Sequence, residues 1–75
     1  MYRVFENEIR CNEHKISEWG KDTFESKREA EVYAYYWAYP VTKIQAEKYA
    51  PKMEIGKSYN YSMSEFPILM KIEMV

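Results

Sequence analysis

Cys11 and His14, the only cysteine and the only histidine of the chain, stand in the spacing C-x-x-H. A structural zinc ion needs four such ligands, and there is no second cysteine or histidine. A thiol nucleophile needs a histidine in contact with it and a third group to orient that histidine. This pair falls in a turn region with no pocket foretold around it, so Cys11 reads as a half-buried structural cysteine and His14 as an exposed histidine. Glu6, Glu8, Glu13 and Glu18 are numerous enough for acid–base work. That chemistry needs a pair set apart by burial or spacing, and none is set apart here; a solvated acidic face is the plainer reading. Gly20 and Gly56 are the only glycines, so no glycine-rich loop can cradle a phosphate. The chain is therefore expected to be no enzyme, to bind no metal and to carry no cofactor.

Aromatic side chains are what this chain has in surplus: eight tyrosines, two tryptophans and three phenylalanines among 75 residues. The spacing predicts a helix over 27–38. Ser26-Lys27-Arg28-Glu29 fits a capping box, good helix formers follow, and Pro40 stops the run. At about 100° per residue, Ala30, Tyr33, Ala34 and Trp37 gather on one face, the stripe expected toward a sheet. Val32, Tyr35, Tyr36 and Tyr39 recur at i, i+3, i+4 and i+7 on nearly the opposite side, where a surface helix should be polar. Only the first turn is polar, with Lys27, Arg28, Glu29 and Glu31. Two readings follow. A second helix could lie across the stripe with Ala46 and Tyr49 against it, since a helix between two layers is apolar all round. Alternatively Val32, Tyr35, Tyr36 and Tyr39 form an interface, because tyrosine supplies large contact area with few rotatable bonds.

A nucleic-acid reading rests on Lys43, Lys48 and Lys52 with Tyr59 and Tyr61. Basic side chains interleaved with aromatics are the parts of a single-strand platform, although Glu47 and Glu54 share the stretch. Eleven basic against twelve acidic residues give a net charge of −1, which is no broad electrostatic footprint for nucleic acid or an anionic membrane.

Around these residues the elements read as follows. Tyr2 to Phe5 alternate as a strand, and Glu6-Asn7-Glu8 makes a turn. Residues 9–24 admit either a second strand ending near Phe24, which we favour, or a short helix over 13–19 capped by Asn12. Thr42-Lys43-Ile44-Gln45 is a second capping box and opens a helix of about two turns that Pro51 closes, too short to persist unless packed. Tyr59 and Tyr61 lie in a strand or an extended loop. Ile68, Met70, Ile72 and Met74 alternate with Leu69, Lys71 and Glu73 as a half-buried strand, with Pro67 at its start. If it lay at a sheet edge, Ile68–Val75 could pair with a second copy or with a partner's strand. The order β-β-α-α-β-β predicts an α+β fold: a small antiparallel sheet with one longer and one short helix on one face.

Seventy-five residues suit one domain over the whole of 1–75. One unpaired thiol suits a reducing compartment, the N-terminus has no apolar stretch fit for a signal peptide, and no run approaches a membrane span. A cytoplasmic protein is expected. In length, tyrosine and methionine content and want of catalytic motifs the chain resembles small accessory proteins of phages and prophages, a resemblance of style and not of any residue pattern. It implies a protein that acts by binding a host or viral macromolecule. The partner is expected to be another protein or a second copy of the chain, with nucleic acid as the alternative.

Overall fold

A computed structural model describes residues 1–11, 23–62 and 65–75. In these the elements follow in the order β1 (Tyr2–Glu6), β2 (Ile9–Arg10), α1 (Lys27–Ala38), α2 (Lys43–Tyr49), β3 (Tyr59–Asn60) and β4 (Leu69–Met74). The strands form an antiparallel sheet in the order β2-β1-β4-β3, and α1 packs on it, giving a mixed α+β fold. Of the strand-or-helix alternatives for 9–24, the described part holds only β2 and a single bridge between Phe24 and Tyr2; the rest of that stretch lies outside the described residues.

β1 and β2 are joined by Asn7 and Glu8, both with positive φ (49° and 71°). Positive φ at both central residues is the pattern of a type I′ turn, one of the primed turns whose twist matches the right-handed twist of the strands. Asn7 also ties this hairpin to the β3–β4 end of the sheet. Its backbone N–H donates to the Leu69 carbonyl at 2.9 Å and its Oδ1 accepts from the Leu69 N–H at 3.0 Å.

β4 pairs with β1 over five residues, from Tyr2 opposite Met74 to Glu6 opposite Met70. Its other side meets β3 at Met70 and Leu69 and accepts the Gly56 N–H at the Ile72 carbonyl. β4 is therefore an inner strand, and the condition under which Ile68–Val75 would offer itself for pairing, a place at the sheet edge, is not met. Its alternation is as anticipated, with Met70 and Ile72 fully buried, but the burial stops before Met74, which is exposed.

α1 begins where Ser26 accepts the Glu29 N–H at 3.1 Å and ends at Tyr39, whose N–H still bonds the Tyr35 carbonyl. Ala30, Tyr33 and Ala34 join Val4, Cys11, Phe24, Met53, Met70 and Ile72 in the main core. Small alanines let the helix approach the sheet while Tyr33 reaches down to Phe24, ring centroids 4.9 Å apart, and donates its hydroxyl to the Cys11 carbonyl. Trp37 closes the other end, its Nε1 donating to Glu6 of β1 at 2.6 Å. Both halves of the capping box of α2 are formed: Gln45 N–H to Thr42 Oγ1 at 3.1 Å, and Thr42 N–H to Gln45 Oε1 at 2.9 Å.

Candidate functional site

The second stripe of α1 is divided between two environments. Val32 is only 6 % exposed and packs with Ala46 and Ala50 in a small core of its own between the helices. It is a packing residue beneath α2 and presents no surface. Tyr35, Tyr36 and Tyr39 each remain half-buried. Tyr35 and Tyr36 lean on the helix–helix core, and Tyr35 and Tyr39 also reach the main core. There they meet Tyr61 from the chain after β3. Tyr35 and Tyr39 have ring centroids 4.7 Å apart, Tyr39 and Tyr61 5.8 Å, and Tyr35 and Tyr61 6.3 Å in an edge-on arrangement. These spacings are favourable aromatic contacts, and they leave no room for a ligand among the rings.

Tyr61 is 7 % exposed, and its hydroxyl has no hydrogen-bond partner among the described residues. Burial, followed by the nearby Tyr39, Glu31, Tyr59 and Tyr35, pushes its pKa up to about 12. Removing the ring from water makes the phenolate costly, and the neighbouring carboxylate adds to that cost.

The expectation that α2 would place Ala46 and Tyr49 against α1 is half corrected. Ala46 is there, but its inward companion is Ala50, and Tyr49 is exposed. Helical spacing explains this: Ala46 and Ala50 are four apart and share a face, whereas Tyr49 is turned roughly 100° from Ala50.

A polar device not foreseen from the sequence fixes α2 against α1. Glu31, placed by the sequence in a polar first turn, is 2 % exposed. Its Oε2 accepts the Met53 N–H at 2.8 Å and lies 3.5 Å from Lys27 Nζ, and its Oε1 accepts from Arg28 Nη1 at 3.2 Å. The same guanidinium donates to the carbonyls of Ala50 at 2.9 Å and Glu47 at 3.1 Å, at the C-terminal end of α2. A cation there satisfies unpaired carbonyls and complements the negative end of the helix. The signal in the sequence was Lys27 and Arg28 standing four and three residues before Glu31, but only the fold brings Met53 onto the carboxylate.

The candidate nucleic-acid residues do not form one surface. Lys43, Lys48 and Lys52 are exposed, with Lys48 Nζ 5.4 Å from the centre of the Tyr49 ring. Tyr59 is half-buried, its hydroxyl accepting the Glu54 N–H at 3.0 Å and Lys57 lying over its ring. Tyr61 is in the core. Among the described residues no group of three or more His, Cys, Asp or Glu could hold a metal ion; Cys11 is buried, and His14 lies outside the described residues. No helix among them is long and apolar enough to cross a membrane. No known protein family, no curated protein and no solved structure matches the chain.

Proposed function

We propose that this chain is a small non-catalytic protein-interaction module of the cytoplasm, a phage-type accessory protein in style, which binds its partner through Tyr35, Tyr36 and Tyr39. The observation that carries the reading is that these three rings stay half-exposed although α1 is packed on both sides. Tyr35 and Tyr39 are packed against each other and against Tyr61, so little rotamer entropy remains to be lost on binding. Half-exposed tyrosines held rigid are the side chains from which interface hot spots are built.

Because Tyr35 and Tyr39 also pack on Tyr61, deleting them would confuse binding with folding. A photo-crosslinking benzoylphenylalanine side chain at position 36 or 39 keeps the aromatic bulk. The expected result is a covalent adduct with one protein at both positions and none from position 29. Equal adducts from all three positions, or none from 36 and 39, would count against the reading. Nucleic-acid binding by Lys43, Lys48 and Lys52 with Tyr59 and Tyr61 has less support, because a base cannot stack on a ring as buried as Tyr61. Any such affinity would fall steeply with salt, and a flat salt response removes it. Self-association predicts a particle mass that rises with concentration in light scattering.

A further inference from the structure

We propose that residues 40–52, which carry α2, form a lid over the tyrosine stripe of α1. The lid opens as a unit while the sheet and α1 stay folded, and the bared face receives an apolar helix of a protein partner in the place of α2. The inference rests on the interaction-module reading and adds how its surface is reached and what it takes.

The segment lies between two anchors. On one side Tyr39 packs against Tyr35 and Tyr61. On the other, Met53 is 1 % exposed in the main core, with its N–H bonded to Glu31. Pro40 and Pro51 stand just inside these anchors, and neither has an N–H to tie the border to its neighbours. Between the anchors little is buried. α2 packs on α1 and on no other described element. Every residue of α2 except Ala46 is exposed, and the buried contact beneath it is Val32 with Ala46 and Ala50. The apolar area of one valine and two alanines is small beside the entropy lost in ordering a helix of seven residues. Arg28 adds directional hold at the carbonyls of Glu47 and Ala50. Its half-exposed guanidinium exchanges those bonds for water when the lid opens.

The closed state also shows what the face accepts. Its occupant is already a helix, and the two side chains that helix turns inward, four residues apart, are both alanine. With the lid away, Val32 joins the half-exposed Tyr35, Tyr36 and Tyr39 along α1, at the i, i+3, i+4 and i+7 spacing by which helices meet. A valine and three rings carry no charge, so the side chains that match them are apolar. A helix with leucine or isoleucine in the two inward places would bury more apolar surface than α2 does. Free of the chain, it could also sit farther from α1 than a lid fixed at both ends, and so make room for the larger side chains.

The test has two arms, both on the whole chain. Hydrogen exchange in low urea follows the amides of Ala46 and Ala50, which donate to the carbonyls of Thr42 and Ala46 at 2.9 Å. They are expected to exchange at least about a hundredfold faster than the amides of β1 and β4. Low urea should leave their rate unchanged, because the opening exposes little surface. Protection equal to that of β4, with the same urea dependence, overturns the proposal. The second arm is an amide-shift titration with a peptide of residues 40–52 carrying Ala46→Leu and Ala50→Leu. Shifts at the Val32 and Tyr36 amides are expected. The affinity should be at least about tenfold higher for an Ala46→Glu chain, whose expelled lid no longer competes, and lower for the unaltered 40–52 peptide. If Ala46→Glu does not fold, Arg28→Met loosens the lid without touching the main core and should move the affinity the same way. No shifts on α1, or equal affinity in all chains, overturns the proposal. Photo-adducts from positions 36 and 39, with partner capture unchanged by Ala46→Glu and Arg28→Met, would sink the lid and leave the tyrosine reading standing. Lid opening and peptide binding with no adducts from 36 or 39 would do the reverse.

Discussion

The two sides of α1 are held by different physics. Toward the sheet, Ala30, Tyr33 and Ala34 meet Val4, Phe24, Met53, Met70 and Ile72, and burial of large side chains carries the contact at roughly 25 cal/mol per Å² of apolar surface. Toward α2 the buried side chains are Val32, Ala46 and Ala50, which offer little area. There the helix is located by directional bonds instead: Glu31 to the Met53 N–H, and Arg28 to the carbonyls of Glu47 and Ala50. A short segment that cannot bury enough surface can still be placed by charge-assisted hydrogen bonds, which are roughly twice as strong as neutral ones. Such a contact concentrates its stability in a few atoms and is easy to break at one point.

Glu31→Ala is therefore the largest effect expected. It leaves the Met53 N–H without its acceptor and separates Arg28 and Lys27 from their shared anion. We expect a loss on the order of 2–3 kcal/mol in urea unfolding, less than for a fully buried pair because both cations are half-exposed and regain water. Hydrogen exchange sharpens the comparison. The amides of Ala46 and Ala50 should lose protection first, while those of β1 and β4 stay slow. Equal loss in both regions would show that the two sides of α1 form one cooperative unit.

The next effect belongs to the sheet side, at Tyr61. Its pKa stands at about 12 against an ordinary value of 10, so the folded chain keeps a proton that the unfolded chain gives up. The contribution is complete below pH 10 and is lost as pH rises from 10 to 12, a difference on the order of 2 kcal/mol. Tyr61→Phe should remove that alkaline loss. Below pH 10 it should leave stability unchanged or raise it by about 1 kcal/mol, because the hydroxyl is buried with no partner among the described residues. Unfolding curves of both proteins at pH 8 and pH 11.5 check this. A variant less stable at pH 8 would mean that the hydroxyl makes a bond of its own, and the main core would then share the polar anchoring of α2.

Much of this was legible from local chemistry. Ser26 and Pro40 bracket α1, Thr42 with Gln45 opens α2, and the alternation in 68–74 marks β4, because caps, prolines and period-two patterns act within a few residues. Three features depend on distant partners and were not legible. Glu31 reads as a solvated charge until Met53 is folded onto it. β4 is an inner strand because β1 takes one side and β3 with Gly56 takes the other, and no local pattern encodes strand order. The tyrosine stripe could be recognised as anomalous but not apportioned: Val32 to the helix–helix core, Tyr35 and Tyr39 to Tyr61, Tyr36 half-exposed at the helix–helix core. Tyr49 was misplaced because Ala46, Tyr49 and Ala50 recur at i, i+3 and i+4, and spacing alone does not tell that the two alanines take the contact and leave the tyrosine outside.

The smallest effect expected tests whether the sheet side tolerates local relief without disturbing α2. Glu8 holds φ at 71°, a conformation that costs a non-glycine residue roughly 1 kcal/mol, and asparagine followed by glycine is the preferred pair for this turn. Glu8→Gly removes that cost but also the ion pair with Lys71, whose Nζ donates to Glu8 at 2.8 and 3.0 Å. That bond raises the Lys71 pKa, yet the carboxylate is largely exposed, and such solvent-screened pairs contribute little. Glycine also loses more backbone entropy on folding, which takes back part of the gain. The net expectation is a gain of less than about 1 kcal/mol, with the Lys71 pKa falling toward its ordinary value and exchange at Ala46 and Ala50 following only the global change. If Glu8→Gly destabilises the protein, the Lys71 pair outweighs the strain, and the sheet side too is anchored at a point by charge and not by burial alone.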